Sequence, residues 1–376
     1  MNKQDTFCSL PWIHACIRTD NKVRPCCRYK GDTDVQFDNV ETQGKTAFDS
    51  SYFTKLRQDM LKGVRRSECV KCWTEELNPN PHKKSMRQFL NHRFRHAITS
   101  ETATDQFANV YYIEMGLDNI CNLECRMCDS KFSSKLQKRD RYLNKRVNKK
   151  LEPSWSKFDN TDLDHLEYVK VLGGEVFISP NFEPFIDWLD QRRGVENITL
   201  ELATNGSSIP QGTLLDKLQR FKFLYINVSL DSTDKANNYQ RQGSNHNTIL
   251  ENYTRLDSVF ARKHLSIHST QSVLTAHTLA TTLTDLDKLN YPYTVDFVID
   301  PDHLNIQCAT PEYKQWIIES NRSNSVALNM INNHLKIDKY SKQVWVYLEF
   351  HVTRLDDYYN VQLADYNPTL AEHLGV

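Results

Sequence analysis

Glycine is scarce in this chain: 11 of 376 residues, or about 3%, against about 7% in average usage. So few glycines leave little room for left-handed turns or close backbone crossings, and an adjacent pair at Gly173 and Gly174 becomes informative. An excess of one charge is missing too. Lys+Arg and Asp+Glu both total 47, so no overall field directs the chain to nucleic acid or to an anionic membrane surface. No apolar run approaches the roughly 18 residues that a membrane-spanning helix needs, and no signal-peptide pattern opens the sequence. No internal repeat or low-complexity tract is present. The expectation is a soluble, cytoplasmic protein with no membrane partner.

What the chain does have is cysteine. Nine of its ten cysteines fall in the first 128 residues, at Cys8, Cys16, Cys26, Cys27, Cys69, Cys72, Cys121, Cys125 and Cys128, with Cys308 far downstream. Without a secretory signal, such clustering argues for metal binding or catalysis over disulfides. Cys121, Cys125 and Cys128 have C-x3-C-x2-C spacing in Cys-Asn-Leu-Glu-Cys-Arg-Met-Cys. Structural metal sites close with four protein ligands, whereas reactive ones keep a position open. Iron–sulfur clusters normally take four cysteines, so three predict a cluster with one iron free for a small molecule. A structural zinc site is the competing reading.

Residues 1–100 are loop-rich, with a helix expected near Phe48–Lys62 from the spacing of Phe53, Leu56, Met60 and Leu61 and a stop at Gly63. From about residue 108 the pattern alternates between strand and helix. Strands are expected at Val110–Met115, Val169–Leu172, Ile198–Leu202, Phe223–Leu230, Leu265–Leu274 and Val295–Ile299. Helices are expected at Ser130–Lys150, Phe182–Gln191, Thr213–Phe221, Thr248–Arg262 and Thr278–Leu289. Alternation of this kind implies parallel strands with crossover helices. The fold class is therefore α/β, a partial (βα)6 barrel spanning residues 105–305. A cysteine-rich module at 1–104 precedes it, joined through a polar linker near Ser100–Gln106. A mostly helical extension at 306–376 follows, with Trp345, Leu348, Val352, Leu355 and Tyr359 at helical spacing.

Ligands of parallel βα proteins sit beyond the carboxyl ends of the strands. The informative residues fall there repeatedly. The cysteine loop follows the first expected barrel strand and Gly173-Gly174-Glu175 the second. Thr204-Asn205-Gly206 follows the third, Ser229-Leu230-Asp231 the fourth, and Arg241 comes shortly after.

In these motifs, over roughly residues 108–300, the chain resembles the radical S-adenosylmethionine (SAM) enzymes. The resemblance implies a [4Fe-4S] cluster on Cys121, Cys125 and Cys128, with the methionyl group of SAM on its open iron. It also implies cleavage of SAM to a 5′-deoxyadenosyl radical that takes hydrogen from a substrate. Carried onto this sequence, Gly173 and Gly174 would let backbone approach the methionyl group, Glu175 would accept from its ammonium, and Arg241 would pair with its carboxylate. Asn205, Ser229 and Asp231 would meet the ribose, and Met127 would cover adenine. The usual Gly-Gly-Glu-Pro reads Gly-Gly-Glu-Val here. An external one-electron reductant of the flavodoxin or ferredoxin type is implied as partner.

The earlier cysteines resemble the auxiliary-cluster module called twitch, a shortened SPASM-like domain, in a subgroup where the module precedes the barrel. From Cys8 the pattern runs C-x12-Asn21-x4-Cys26, with Cys69-x2-Cys72 later. Asn21 replaces the usual glycine, and Asn tolerates positive φ. The resemblance implies a second, auxiliary Fe–S cluster on Cys8, Cys26, Cys69 and Cys72, with Cys16 and Cys27 spare. Four-thiolate zinc fits the same cysteines. Cys308, past the last barrel strand, is a candidate hydrogen donor to a substrate radical.

A basic stretch from Lys131 to Lys150, with Lys83, Lys84, Arg87, Arg93 and Arg95, reads as a solvated face; the sharper reading is attraction for an acidic or nucleic-acid substrate. Three functions follow: a radical SAM oxidoreductase or maturase that oxidises or cross-links a peptide or protein side chain; a dehydrogenase or epimerase of a sugar or nucleoside-like small molecule; and a nucleic-acid-binding protein with structural metal sites.

Overall fold

The computed structural model describes residues 3–19, 22–31, 47–77, 84–147, 155–159 and 161–376. Asn21, Lys83, Lys149 and Lys150 lie outside the described residues.

Period-two alternation builds the sheet. In chain order its strands are β1 (His14–Ile17), β2 (Val23–Arg24), β3 (Tyr112–Gly116), β4 (Tyr168–Leu172), β5 (Thr199–Thr204), β6 (Phe223–Ser229), β7 (Lys263–Gln271) and β8 (Tyr293–Phe297). Along β6, Leu224, Ile226 and Val228 are buried, while Tyr225, Asn227 and Ser229 between them stay half-exposed. Successive side chains of a strand point to opposite faces, so one face is apolar and the other polar. The apolar face is covered by crossover helices. Phe182–Arg193 buries Phe182, Phe185, Ile186 and Leu189 there, and His246–Val259 buries Ile249, Tyr253 and Leu256.

The sheet runs β2-β1-β3-β4-β5-β6-β7-β8. All pairings from β1 through β8 are parallel, and β2 is antiparallel to β1. The α/β architecture with an unclosed barrel matches the expectation, and all six expected strands are present. Two more extend the sheet. β1 joins β3 in register, Cys16 opposite Glu114. It reads as loop in the sequence because its four residues, His-Ala-Cys-Ile, carry no strong β pattern. Its burial comes from the neighbouring strand.

The expected helix near residue 48 starts later, at Ser51–Leu61, because Ser50 caps it by accepting from Phe53 N–H. Among the described residues of the stretch 130–150, only Gln137–Tyr142 is an α-helix, preceded by a 3-10 turn at Ser134–Leu136. The C-terminal part is helical as expected, with helices at Pro311–Ser320, Ser325–Leu335, Lys342–Tyr359 and Pro368–Leu374 around a second apolar cluster. A third cluster, including Phe7, Leu10, Trp12, Leu56 and Phe94, packs the N-terminal part. Segments 1–104, 105–305 and 306–376 stand as our proposed division. Through β1, the first of them shares the sheet of the second.

His14 of β1 is buried, stacked 4.0 Å from the Tyr112 ring, with Nδ1 3.1 Å from the Pro25 carbonyl. Burial lowers its pKa from 6.5 to about 3. The unfolded chain therefore takes up a proton that the folded one refuses, and stability is full above pH 6.5 and falls as pH drops from there towards 3. Urea midpoints measured across this window should decline in the wild type, with a shallower decline in His14→Gln.

Candidate metal and cofactor site

The cysteine loop is held by main chain. Leu117 N–H donates to the Leu172 carbonyl at 3.1 Å, Gly174 N–H to Asp118 O at 3.1 Å, and Glu175 N–H to Ile120 O at 2.7 Å. The segment after β4 is thus laid directly on the loop that follows β3. Gly173 and Gly174 make this possible. A Cβ on Gly173, whose φ is +144°, would stand 2.5 Å from Asp118 O, and one on Gly174 only 1.9 Å from Ile120 O. The close approach that needs glycine here is made to the protein's own backbone.

Further on, Glu124 and Arg126 N–H donate to the carbonyls of Gln242 and Gln240. Arg139, counted in the basic stretch, is buried. Its guanidinium donates to the Cys125 carbonyl at 2.8 Å, the Cys128 carbonyl at 2.5 Å and Asp140 Oδ1 at 3.0 Å, while Asp140 Oδ2 accepts from Ser130 N–H. Arg126 is buried as well, 3.7 Å over the Tyr239 ring, and donates to Asp356 Oδ1 at 2.7 Å. Asp356 belongs to the helix Lys342–Tyr359, so the C-terminal extension braces the cysteine loop. Arg87 is another member of the basic set that is not a surface charge: it pairs with Glu76 at 2.6 Å.

These constraints place Cys121, Cys125 and Cys128 on the wall of one cavity of about 570 Å³ at the carboxyl ends of the strands. Met127, Gly173, Gly174, Asn205, Ser229 and Arg241 line the same cavity. Burial raises all three thiol pKa values, that of Cys125 to about 11 against the opposing pull of Arg241. The bare thiols are therefore protonated at neutral pH, and a metal that takes them must displace protons.

Three candidates are not on that wall. Glu175 is buried beside it, accepting from Thr204 Oγ1 at 2.6 Å, Asn205 N–H at 2.6 Å and Phe177 N–H at 3.2 Å. It thereby fixes the turn that carries Asn205. Asp231 is fully buried and grips Arg241 side-on, at 2.7 Å from Nε and 2.9 Å from Nη2, while also accepting from Thr270 N–H. Its carboxylate orients the arginine, and both of its oxygens accept from protein donors. Cys308 is buried in a 3-10 turn, Ile306–Cys308, outside the cavity lining.

Cys8, Cys26, Cys69 and Cys72 also come together, lining a second hollow with Met60, Met86 and Arg87. This hollow is only about 20 Å³, so the case for a group there rests on its four thiol donors and not on free space. Burial pushes the Cys8 and Cys69 thiols up to about 12. Cys27 is not on this lining, and Cys16 is buried in β1. Among the described residues, no three His, Cys, Asp or Glu side chains close on a single metal ion. No described helix is long and apolar enough to cross a membrane.

Asp118, Arg126, Arg139 and Asp356 shape this site and were missed from sequence, where an isolated arginine or aspartate gives no signal. Asp118 accepts from Ile120 N–H at 2.9 Å, Ser179 Oγ at 2.5 Å and Asn181 Nδ2 at 2.8 Å.

No family model and no curated protein matches the chain. Solved structures do resemble it. Histidine-tagged anSMEcpe with bound AdoMet aligns at TM-score 0.41 and 14% identity, over 57% of each chain. This chain thus spans little more than half the length of that protein. Streptococcus suis SuiB bound to S-adenosylmethionine aligns at 0.39 and 13%, over 93% of this chain and 75% of its own. TYW1 with a lysine-pyruvate adduct aligns at 0.33 and 13%, over 57% and 72%. Scores and identities this low carry no argument about what this chain does.

Proposed function

We propose that the chain is a radical SAM enzyme, whose [4Fe-4S] cluster, when bound, reductively cleaves SAM to a 5′-deoxyadenosyl radical that abstracts hydrogen from substrate. The observation that carries this reading is the meeting of Cys121, Cys125 and Cys128 with Met127, Asn205, Ser229 and Arg241 on one cavity wall. Three thiols with no fourth cysteine among the residues lining the cavity suit a group that keeps one position open. The residues fit the cofactor in chemistry: soft donors for iron, short polar side chains for ribose, and the Met127 thioether for an adenine face. With Nε and Nη2 held by Asp231, Arg241 offers Nη1 to a carboxylate. Glu175 acts one step back, through the Thr204–Asn205 turn.

Cys8, Cys26, Cys69 and Cys72 would hold the auxiliary cluster, and four thiolates suit electron transfer. On that basis the finer proposal is oxidation or cross-linking of a peptide or protein side chain, with the auxiliary cluster as electron acceptor and a flavodoxin- or ferredoxin-type reductant.

Anaerobic reconstitution should load about 8 irons per chain for two four-iron clusters, and about 4 after Cys125→Ala. Reductant-dependent formation of 5′-deoxyadenosine from SAM should be lost in the same variant. Zinc at both sites, or retained 5′-deoxyadenosine formation in Cys125→Ala, would overturn the reading.

A further inference from the structure

Beside the large cavity, three buried nitrogen atoms have no hydrogen-bond partner. Arg126, Lys145, Asp300 and Pro301 line the cavity, and His303 follows two residues after Pro301. His303 and His351 are buried side by side, ring centroids 4.4 Å apart in an edge-to-face arrangement, under the Tyr347 ring. The Nε2 atoms of both imidazoles and Nη1 of Arg126 are buried without any hydrogen-bond partner. Leaving such a group unsatisfied is unfavourable, more so for a charged one, so three of them call for an explanation.

Cations predominate among the charges that reach the two histidines, while Asp129, on the cavity wall, and Asp140 act on Lys145. Lys145 is the charge acting on His303, and His303, Lys145, Arg139 and Arg126 act on His351. Asp356 is the acid bound to Arg126, through Nη2, with its other oxygen taken by Leu363 N–H. Asp300 is an exposed neighbour on the rim.

We propose that Arg126, Lys145, His303 and His351 form an anion subsite that takes a carboxylate or phosphate carried by the substrate. An oxyanion admitted there would accept from the orphaned donors through charge-assisted bonds and would anchor the substrate at the edge of the cavity that Met127 and the cysteines line. This places a negatively charged group on the molecule that the proposed reaction acts on, and rests on that reading for the word substrate.

The test begins with the full chain free of metal and SAM, so its outcome is independent of the cofactor reading. Its melting midpoint is followed against inorganic phosphate, with sodium chloride at equal ionic strength as control. Phosphate should raise the midpoint saturably, and Lys145→Ala and His351→Gln should each weaken the apparent affinity about tenfold, as expected when one charge-assisted bond is lost. Lys145 is exposed, so its variant keeps the fold even if His351→Gln does not. In a second arm, SAM binding to the iron-reconstituted chain should be unchanged by phosphate. No saturable phosphate effect, or undiminished affinity in Lys145→Ala, would overturn the subsite. Displacement of SAM by phosphate would also overturn it, assigning these residues to SAM's own carboxylate.

Discussion

Gly174→Ala should leave a chain that cannot form the cysteine loop. The added methyl would stand 1.9 Å from the Ile120 carbonyl oxygen and 2.4 Å from its carbon. Backbone is on the other side of the clash, so no side-chain rotation relieves it. The two segments must separate, and the Gly174–Asp118 and Glu175–Ile120 hydrogen bonds separate with them. Overpacking of this kind costs about 3 kcal/mol or more, and the loss is concentrated next to Cys121, which directly follows Ile120. The expected results are a large fall in urea midpoint and failure to retain iron after reconstitution. Gly212→Asn is the control. Gly212 has φ +55° with nothing within 4 Å of a built Cβ, a conformation that Asn tolerates, so stability should stay within about 0.5 kcal/mol. Equal effects at both glycines would show that the crossing at Gly174 is not what fixes the loop.

Arg139→Met should be comparably severe for a different reason. The guanidinium satisfies two cysteine-loop carbonyls and neutralises Asp140, and Arg139 and Asp140 are both out of water. Methionine fills much of the volume but leaves Asp140 as a buried charge without its hydrogen-bonded guanidinium. Breaking a buried pair by removing one partner costs about 3–5 kcal/mol. Arg139→Lys should recover little, because a single ammonium cannot reproduce the planar fork that spans both carbonyls and the carboxylate. Adding Asp140→Asn to Arg139→Met should recover part of the loss by removing the stranded charge, a coupling that a double-mutant cycle reads directly. A merely solvated Arg139 would give changes below about 0.5 kcal/mol in every one of these variants.

The order of βα units and the rim positions of the motifs were legible because both rest on local signals. Alternating burial along β6 is written as Leu224, Ile226 and Val228 between polar residues, and the helix Phe182–Arg193 as four apolar residues on one stripe. The thiol groups were legible because cysteine is rare and its spacing is short. Roles that depend on which way a carboxylate faces were less so. Glu175 and Asp231 sit at the expected places in the chain, yet both turn to protein donors beside the cavity. Arg139 looked like one more basic residue on a helix, since sequence does not show that two carbonyls and an aspartate surround it. β1 was hidden because its pairing partner, β3, lies almost a hundred residues away.

The sequence by itself determined the α/β pattern, the three thiols of one group and the glycine pair, which follow from short-range periodicity and residue chemistry, while the set of four came from a resemblance. The tertiary structure alone decided what those features meet. It put the glycine pair against the Ile120 backbone and the C-terminal helix against Arg126. It also left Nη1 of Arg126 and Nε2 of His303 and of His351 buried without a partner. Such contacts depend on chain crossings between residues as far apart as Arg126 and Asp356, and local sequence carries no record of a partner at that distance.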